Sequence, residues 1–209
     1  ARLRDNGAMN SAASATPVVG LILAGGRSSR FGSDKALARL NGLTLLDIAA
    51  AGLRPGCGPI AVSAQPGSGA AELAGRLGLT VLADRPGDPS GPLAGIRMGL
   101  DWARGLGVPW LAVRAVDTPF LPGGIHHRLI DIAVRKNTPA AFCASADGPQ
   151  PLCSVWRPVL MAGLDLALAD GRHPAVHGFL EQVGAAQMAV ESEKAFANLN
   201  TAEALANAQ

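Results

Sequence analysis

Leu21-Ile-Leu-Ala-Gly-Gly-Arg-Ser-Ser-Arg-Phe-Gly-Ser-Asp-Lys35 joins an apolar run to paired glycines, two arginines, a further glycine and a lysine. The run, begun at Val18, reads as a buried strand that opens onto an anion-binding loop. Glycines let backbone N–H groups approach a phosphate with no Cβ in the way, and Arg and Lys bring opposing charge. Arg27, Arg30 and Lys35 crowd together where a polyanion would offset their repulsion. A glycine turn with surface arginines has the same composition, so composition alone does not separate the two.

Spacing narrows the loop further. A P-loop requires G-x-x-x-x-G-K-[ST], but here Gly26 and Gly32 enclose five residues, and Ser33-Asp34 intervene before Lys35. A dinucleotide fingerprint requires G-x-G-x-x-G and an acid after the second strand. This chain has adjacent Gly25-Gly26, and its second apolar run ends Ser63-Ala-Gln-Pro66. Both familiar phosphate loops fail.

Downstream, short apolar runs alternate with longer helical patterns. Strands are expected at Val18–Ala24, Pro59–Ala64, Thr80–Ala83, Trp110–Val116, Ala140–Ala144 and Leu152–Trp156. Helices are expected at about Leu43–Leu53, Ala70–Leu77, Leu93–Arg104 and Gly123–Arg135. Such alternation implies an α/β fold, a parallel sheet with helices on both faces, and ligands beyond the carboxyl ends of the strands. The glycine loop, Asp84 and Asp117 each follow a strand, so all three are expected at one edge of the sheet.

Asp117, in Val116-Asp-Thr-Pro-Phe-Leu-Pro122, suits Mg²⁺, which takes one or two carboxylates plus substrate phosphates. A turn or cap role would also place an Asp there; the basic loop nearby favours the metal. Asp84-Arg-Pro-Gly-Asp-Pro-Ser-Gly-Pro-Leu-Ala-Gly95 leads into a helix, and its backbone suits a planar base edge near a helix N-terminus. His126-His127 read as surface residues. Gln150-Pro151 and Arg172-His173 sit in polar loops where they could meet a second substrate.

Composition bounds the rest. The 209 residues suit one domain over 18–209, with residues 1–17 a disordered lead. A net charge of +2 argues neither for nucleic acid nor for a membrane surface. Cys57, Cys143 and Cys153 are odd in number and lack C-x-x-C spacing. They read as buried thiols in a reducing cytoplasm, without zinc or a disulfide framework. No apolar run approaches a bilayer span.

Taken together, the motifs resemble the molybdenum cofactor guanylyltransferase (MobA) family. That family's L-A-G-G-x-S-x-R-M/F-G-x-D-K is similar to Leu23–Lys35, and its G-P-L-A-G stands as Gly91–Gly95. Its C-D-x-P-F/Y appears as Val116–Phe120, with Val for Cys. Its F-x-N-x-N-T-P-E-D-L is similar to Phe196–Leu205. The resemblance implies a three-layer, Rossmann-like nucleotidyltransferase fold with a mostly parallel sheet. It also implies that Leu23, Ala24, Gly25, Gly26, Ser63, Asp84, Gly91, Pro92 and Leu93 line a GTP site. Lys35 would contact phosphates, and Asp117 would bind GTP and hold Mg²⁺. Ser63 stands where the family has Asn, and Gln150-Pro151 where it has His-Pro.

The implied reaction is attack by the terminal phosphate of molybdopterin on the α-phosphorus of GTP, releasing pyrophosphate. Two anions must meet, so Arg30, Lys35, loop amides and Mg²⁺ on Asp117 would position and neutralise them. Gln150, Pro151 and Arg172 are the candidates for the pterin side. Molybdenum-insertion proteins or a molybdoenzyme chaperone are candidate partners of a cytoplasmic monomer. A cytidylyltransferase acting on the same pterin is the nearest alternative, though it tends to open A-A-G with x-K-L-L-L-P. A non-catalytic nucleotide-binding protein of the same fold is the other.

Overall fold

Every residue of strand β1 (Val18–Leu23) is buried, and its side chains alternate between two separate cores. Val18 and Ile22 enter one, while Val19, Leu21 and Leu23 enter the other, which is why the strand reads as a continuous apolar run. A computed structural model describes residues 16–24, 34–85, 91–171, 174–192, 194–199, 204–205 and 208. Residues 1–15 of the expected lead, 25–33 (with Gly25, Gly26 and Arg30), 86–90 and Arg172 lie outside the described residues.

After a short 3₁₀ turn at Lys35–Leu37, β2 (Arg39–Leu40) and β3 (Leu43–Thr44) form a small hairpin that leads into α1 (Leu45–Leu53). Then come β4 (Ile60–Ser63), α2 (Gly69–Arg76), β5 (Thr80–Leu82), α3 (Pro92–Gly105), β6 (Trp110–Ala115) and α4 (Ile125–Arg135). The remainder is β7 (Ala140–Ser145), β8 (Gly148–Trp156), α5 (Met161–Leu168), α6 (Val176–Gln182) and β9 (Ala186–Ala189). Seven strands form one sheet in the order β5-β4-β1-β6-β8-β7-β9.

Helices cover both faces. Leu45, Leu46, Ala49, Ala50 and Leu53 of α1 share one core with Ala70 and Ala74 of α2 and Ile125, Leu129 and Ala133 of α4. Leu93, Ile96 and Leu100 of α3 share the other with Leu164 of α5 and Phe179 and Leu180 of α6. These positions recur at helical spacing, so each helix buries one stripe. Local chemistry sets the helix starts. Thr44 Oγ1 accepts the Asp47 N–H at 3.0 Å while Asp47 accepts the Thr44 N–H at 3.1 Å, a capping box that begins α1.

Four strands, β1, β4, β5 and β6, run parallel as expected. β8 departs from that pattern. It is antiparallel to both β6 and β7, so the sheet is mixed beyond β6. It also begins at Gly148, so Gln150 and Pro151, read as loop residues, lie within a strand. The helix expected from Leu43 starts at Leu45, because Leu43-Thr44 pair in the hairpin. Among the described residues, no helix is long and apolar enough to cross a membrane.

Candidate functional site

The carboxyl ends of β1, β4, β5 and β6 lie together at one sheet edge, and backbone bonding continues past them. Ala24 N–H donates to Ser63 O, Ala64 N–H to Leu82 O and Val116 N–H to Leu23 O, each at 3.1 Å. Leu23, Ser63, Asp84 and Asp117 are thus placed along a common rim. The chain moves outward from β1 to β4 and β5, then returns through α3 to β6 on the other side of β1. That reversal makes the end of β1 a topological switch point, the usual ligand crevice of such sheets. Asp84, half-buried after β5, stands three strand spacings (about 14 Å) from the end of β6.

The Gly91–Gly95 segment brings the N-terminus of α3 onto this rim. Gly91 caps the helix at φ 153°, ψ 177°, a conformation confined in practice to glycine, and Pro92 occupies the first turn where no N–H is needed. At Gly95 a Cβ would fall 2.5 Å from Ser63 Oγ and 3.0 Å from Leu23 Cδ2. Only a glycine lets the helix sit this close to the ends of β1 and β4. Its first-turn N–H groups and dipole then face the sheet edge at which β1 ends.

Lys35 and Asp117 arrive from opposite sides of β1 and meet. Lys35 Nζ lies 2.9 Å from Asp117 Oδ2, with side-chain exposures of 15% and 26%. Asp34 holds the turn that carries the lysine: its Oδ1 accepts the Ala36 N–H at 3.2 Å and its Oδ2 accepts the Ala70 N–H of α2 at 2.7 Å. From the far end of the chain, Leu199 N–H donates to the Asp117 carbonyl at 3.1 Å. The Phe196–Leu199 segment is thereby fastened beside the aspartate. Its motif was visible in the sequence, but nothing there indicated this contact.

Beneath the Asp117 loop lies a buried cluster. Arg114 is 1% exposed; its Nη2 donates to Thr118 O at 2.9 Å, while Nε and Nη1 have no hydrogen-bond partner. Burial lowers its pKa to about 10, so the guanidinium stays charged at neutral pH. His126 is buried rather than on the surface, and its Nε2–H donates to Val113 O at 2.9 Å. Burial holds its pKa down at about 4. The sequence reading missed this because the adjacent His127 gives no cue as to which ring turns inward. Cys143 and Cys153 are free thiols with sulfurs 3.2 Å apart, a proximity created by strand pairing and not by sequence spacing. The hydrogen bond between the two thiols and burial push the Cys153 pKa up.

Gln150 and Pro151 also reach this edge, because the antiparallel β8 begins where β7 ends. Gln150 Nε2 donates to Ser145 Oγ at 3.0 Å. Nearby, a depression of about 460 Å³ lies at the ends of β7 and β9, lined by Ala144, Ser145, Gln187 and Glu191 among others. The described parts of the rim therefore hold a helix N-terminus, an ammonium and a carboxylate on one side, and a polar-edged depression on the other. The helix N-terminus and the ammonium suit an anionic ligand on the first side.

Known proteins resemble this chain in sequence and in fold. The family described as MobA-like NTP transferase domain matches residues 20–186. The chain is similar to the molybdenum cofactor guanylyltransferase of Rhodobacter capsulatus, at 39% identity over 92% of this chain and 95% of that protein. The same-named protein of Cereibacter sphaeroides is 40% identical over 91% of this chain and 94% of its own length. The fold is that of the solved molybdopterin-guanine dinucleotide biosynthesis protein A from Archaeoglobus fulgidus. The TM-score is 0.75 at 22% identity, covering 91% of this chain and 96% of that one. The match spans the rim from β1 to β9, and the chain belongs to the MobA-like NTP transferase family.

Proposed function

We propose that the protein transfers GMP from GTP to the terminal phosphate of molybdopterin, releasing pyrophosphate. The observation that carries this reading is the meeting of Lys35 and Asp117 at 2.9 Å, at the switch point of a sheet from the nucleotidyltransferase family. A phosphate oxygen of the pterin attacks the α-phosphorus, the bond to the β-phosphate breaks, and pyrophosphate departs. No side-chain nucleophile is required. The protein's work is to hold two polyanions in line and spread the charge that builds up.

Leu23, Ala24 and the glycine loop, with Gly25, Gly26 and Arg30, embrace the nucleotide. Ser63, Asp84 and the Gly91-Pro92-Leu93 helix start flank it, and Lys35 neutralises its phosphates. Gln150, Pro151 and Arg172 face the acceptor, whose entry is the depression beside β7 and β9.

The donor set fits Mg²⁺. Among the described residues no three His, Cys, Asp or Glu side chains gather into a cage, and Asp117 offers one accessible carboxylate. That suits a cation drawing its other ligands from phosphates and water. When bound, it would polarise the phosphoryl oxygens and balance charge on the leaving group.

Purified protein supplied with Mg²⁺ and molybdopterin is expected to release pyrophosphate from GTP much faster than from CTP. Equal rates or a CTP preference overturn the base assignment. Asp117→Asn is expected to lower turnover roughly a hundredfold or more while leaving a cooperative melt.

A further inference from the structure

Asp117 carries a single negative charge, and two cations have a claim on it. Lys35 Nζ already lies 2.9 Å from Oδ2. Asp34 pins the backbone of the lysine's turn, both to itself and to the N-terminus of α2, so the ammonium stays within reach of the rim. A divalent cation arriving at Asp117 therefore meets an ammonium a few ångströms off. One carboxylate cannot offset three positive charges in a partly buried site. A nucleoside triphosphate changes the balance: its phosphates attract the ammonium and bring the missing negative charge.

We propose that Lys35 and the divalent cation compete for the Asp117 carboxylate, so the cation is taken up together with the nucleotide and not ahead of it. Lys35 is then a gate on metal binding as well as a phosphate ligand. The tethered four-carbon stem lets the ammonium swing from carboxylate to phosphate while its backbone stays in place. The inference rests on the reading of Asp117 as the metal ligand.

Mn²⁺ binding to the nucleotide-free full chain, measured by the loss of its free-ion electron paramagnetic resonance signal, tests the idea without turnover. Lys35→Met should bind Mn²⁺ at least about fivefold more tightly than the parent, within the usual range of site-to-site coupling. Lys35→Arg, which keeps the charge, should stay close to the parent. Lys35→Gln replaces the Met variant if that one loses its cooperative melt. Adding Asp117→Asn to Lys35→Met should remove the gain.

If the uncharged variants bind Mn²⁺ no more tightly than the parent, and Asp117→Asn in the parent still weakens Mn²⁺ binding, competition is wrong while the metal reading stands. If the gain survives Asp117→Asn, the metal sits elsewhere, and both readings fall.

Discussion

Ala70 N–H donates to Asp34 Oδ2 at 2.7 Å, fastening the turn that carries Lys35 to the start of α2. The other Asp34 oxygen caps that same turn through Ala36 N–H. One carboxylate therefore sets the height and direction from which the lysine reaches the rim.

Asp34→Ala is expected to lower kcat by roughly tenfold to a hundredfold, since small misplacements of a positioned group are costly. The lost cap should cost about 1 kcal/mol, a drop in Tm of roughly 2–4 °C. Asp34→Asn, which keeps one acceptor oxygen, should fall between. Steady-state kinetics beside thermal melts check this; an unchanged kcat would mean that Lys35 holds its place without the tie.

The close seat of α3 yields a second expectation. In Gly95→Ala the new methyl meets Ser63 Oγ at 2.5 Å and Leu23 Cδ2 at 3.0 Å, all within packed surroundings. Stability should fall by about 1–3 kcal/mol. In a Ser63→Ala background the penalty should shrink by about 0.5 kcal/mol or more, because the hydroxyl is gone. Urea unfolding of the four proteins gives the coupling directly, and strict additivity would contradict the packing described.

Arg114 offers a test that separates stability from activity. Arg114→Met removes the donor to Thr118 O, and also removes a buried cation with two unpaired donor groups. These effects oppose one another, so the unfolding free energy should change by no more than about 1 kcal/mol. Turnover should nevertheless fall roughly tenfold, because the Asp117 loop loses its support from below. Denaturant curves and kcat together decide; a loss of several kcal/mol would show that the guanidinium is satisfied where it lies.

His126 makes stability depend on pH. Its folded pKa of about 4 lies below the ordinary 6.5, so the unfolded chain binds the proton first. Its neutral form carries no penalty above pH 6.5, and stability drains away as pH falls from there toward 4. Between pH 7 and pH 5 this one group should cost roughly 2 kcal/mol. His126→Gln should flatten that part of the profile even if it is less stable at pH 7, as urea titrations at the two pH values would reveal.

Much of this was legible in the linear chain because it is written in local physics. The alternation of apolar runs and helical stripes, the Gly91–Gly95 helix start and the strand-end position of Asp117 all follow from periodicity and backbone sterics. The resemblance of Leu23–Lys35 and Val116–Phe120 to one family pointed to the nucleotidyl-transfer chemistry. The turnover of β8, the burial of His126 and the pairing of Cys143 with Cys153 were not legible. The first and third depend on which strand lies beside which, and a strand covered on both faces reads as one apolar run whatever the direction of its neighbour; the second depends on how α4 packs against the sheet.

By itself, then, the sequence determined the layers, the sheet edge at which the ends of β1, β4, β5 and β6 gather, and the family. Only tertiary structure decided that Lys35, 82 positions before Asp117, rests on its carboxylate, and that Asp34 is what holds the lysine there. Those contacts are made between elements brought together by crossovers around β1. Their distances are set by packing, notably the missing Cβ at Gly95, which local propensity does not encode.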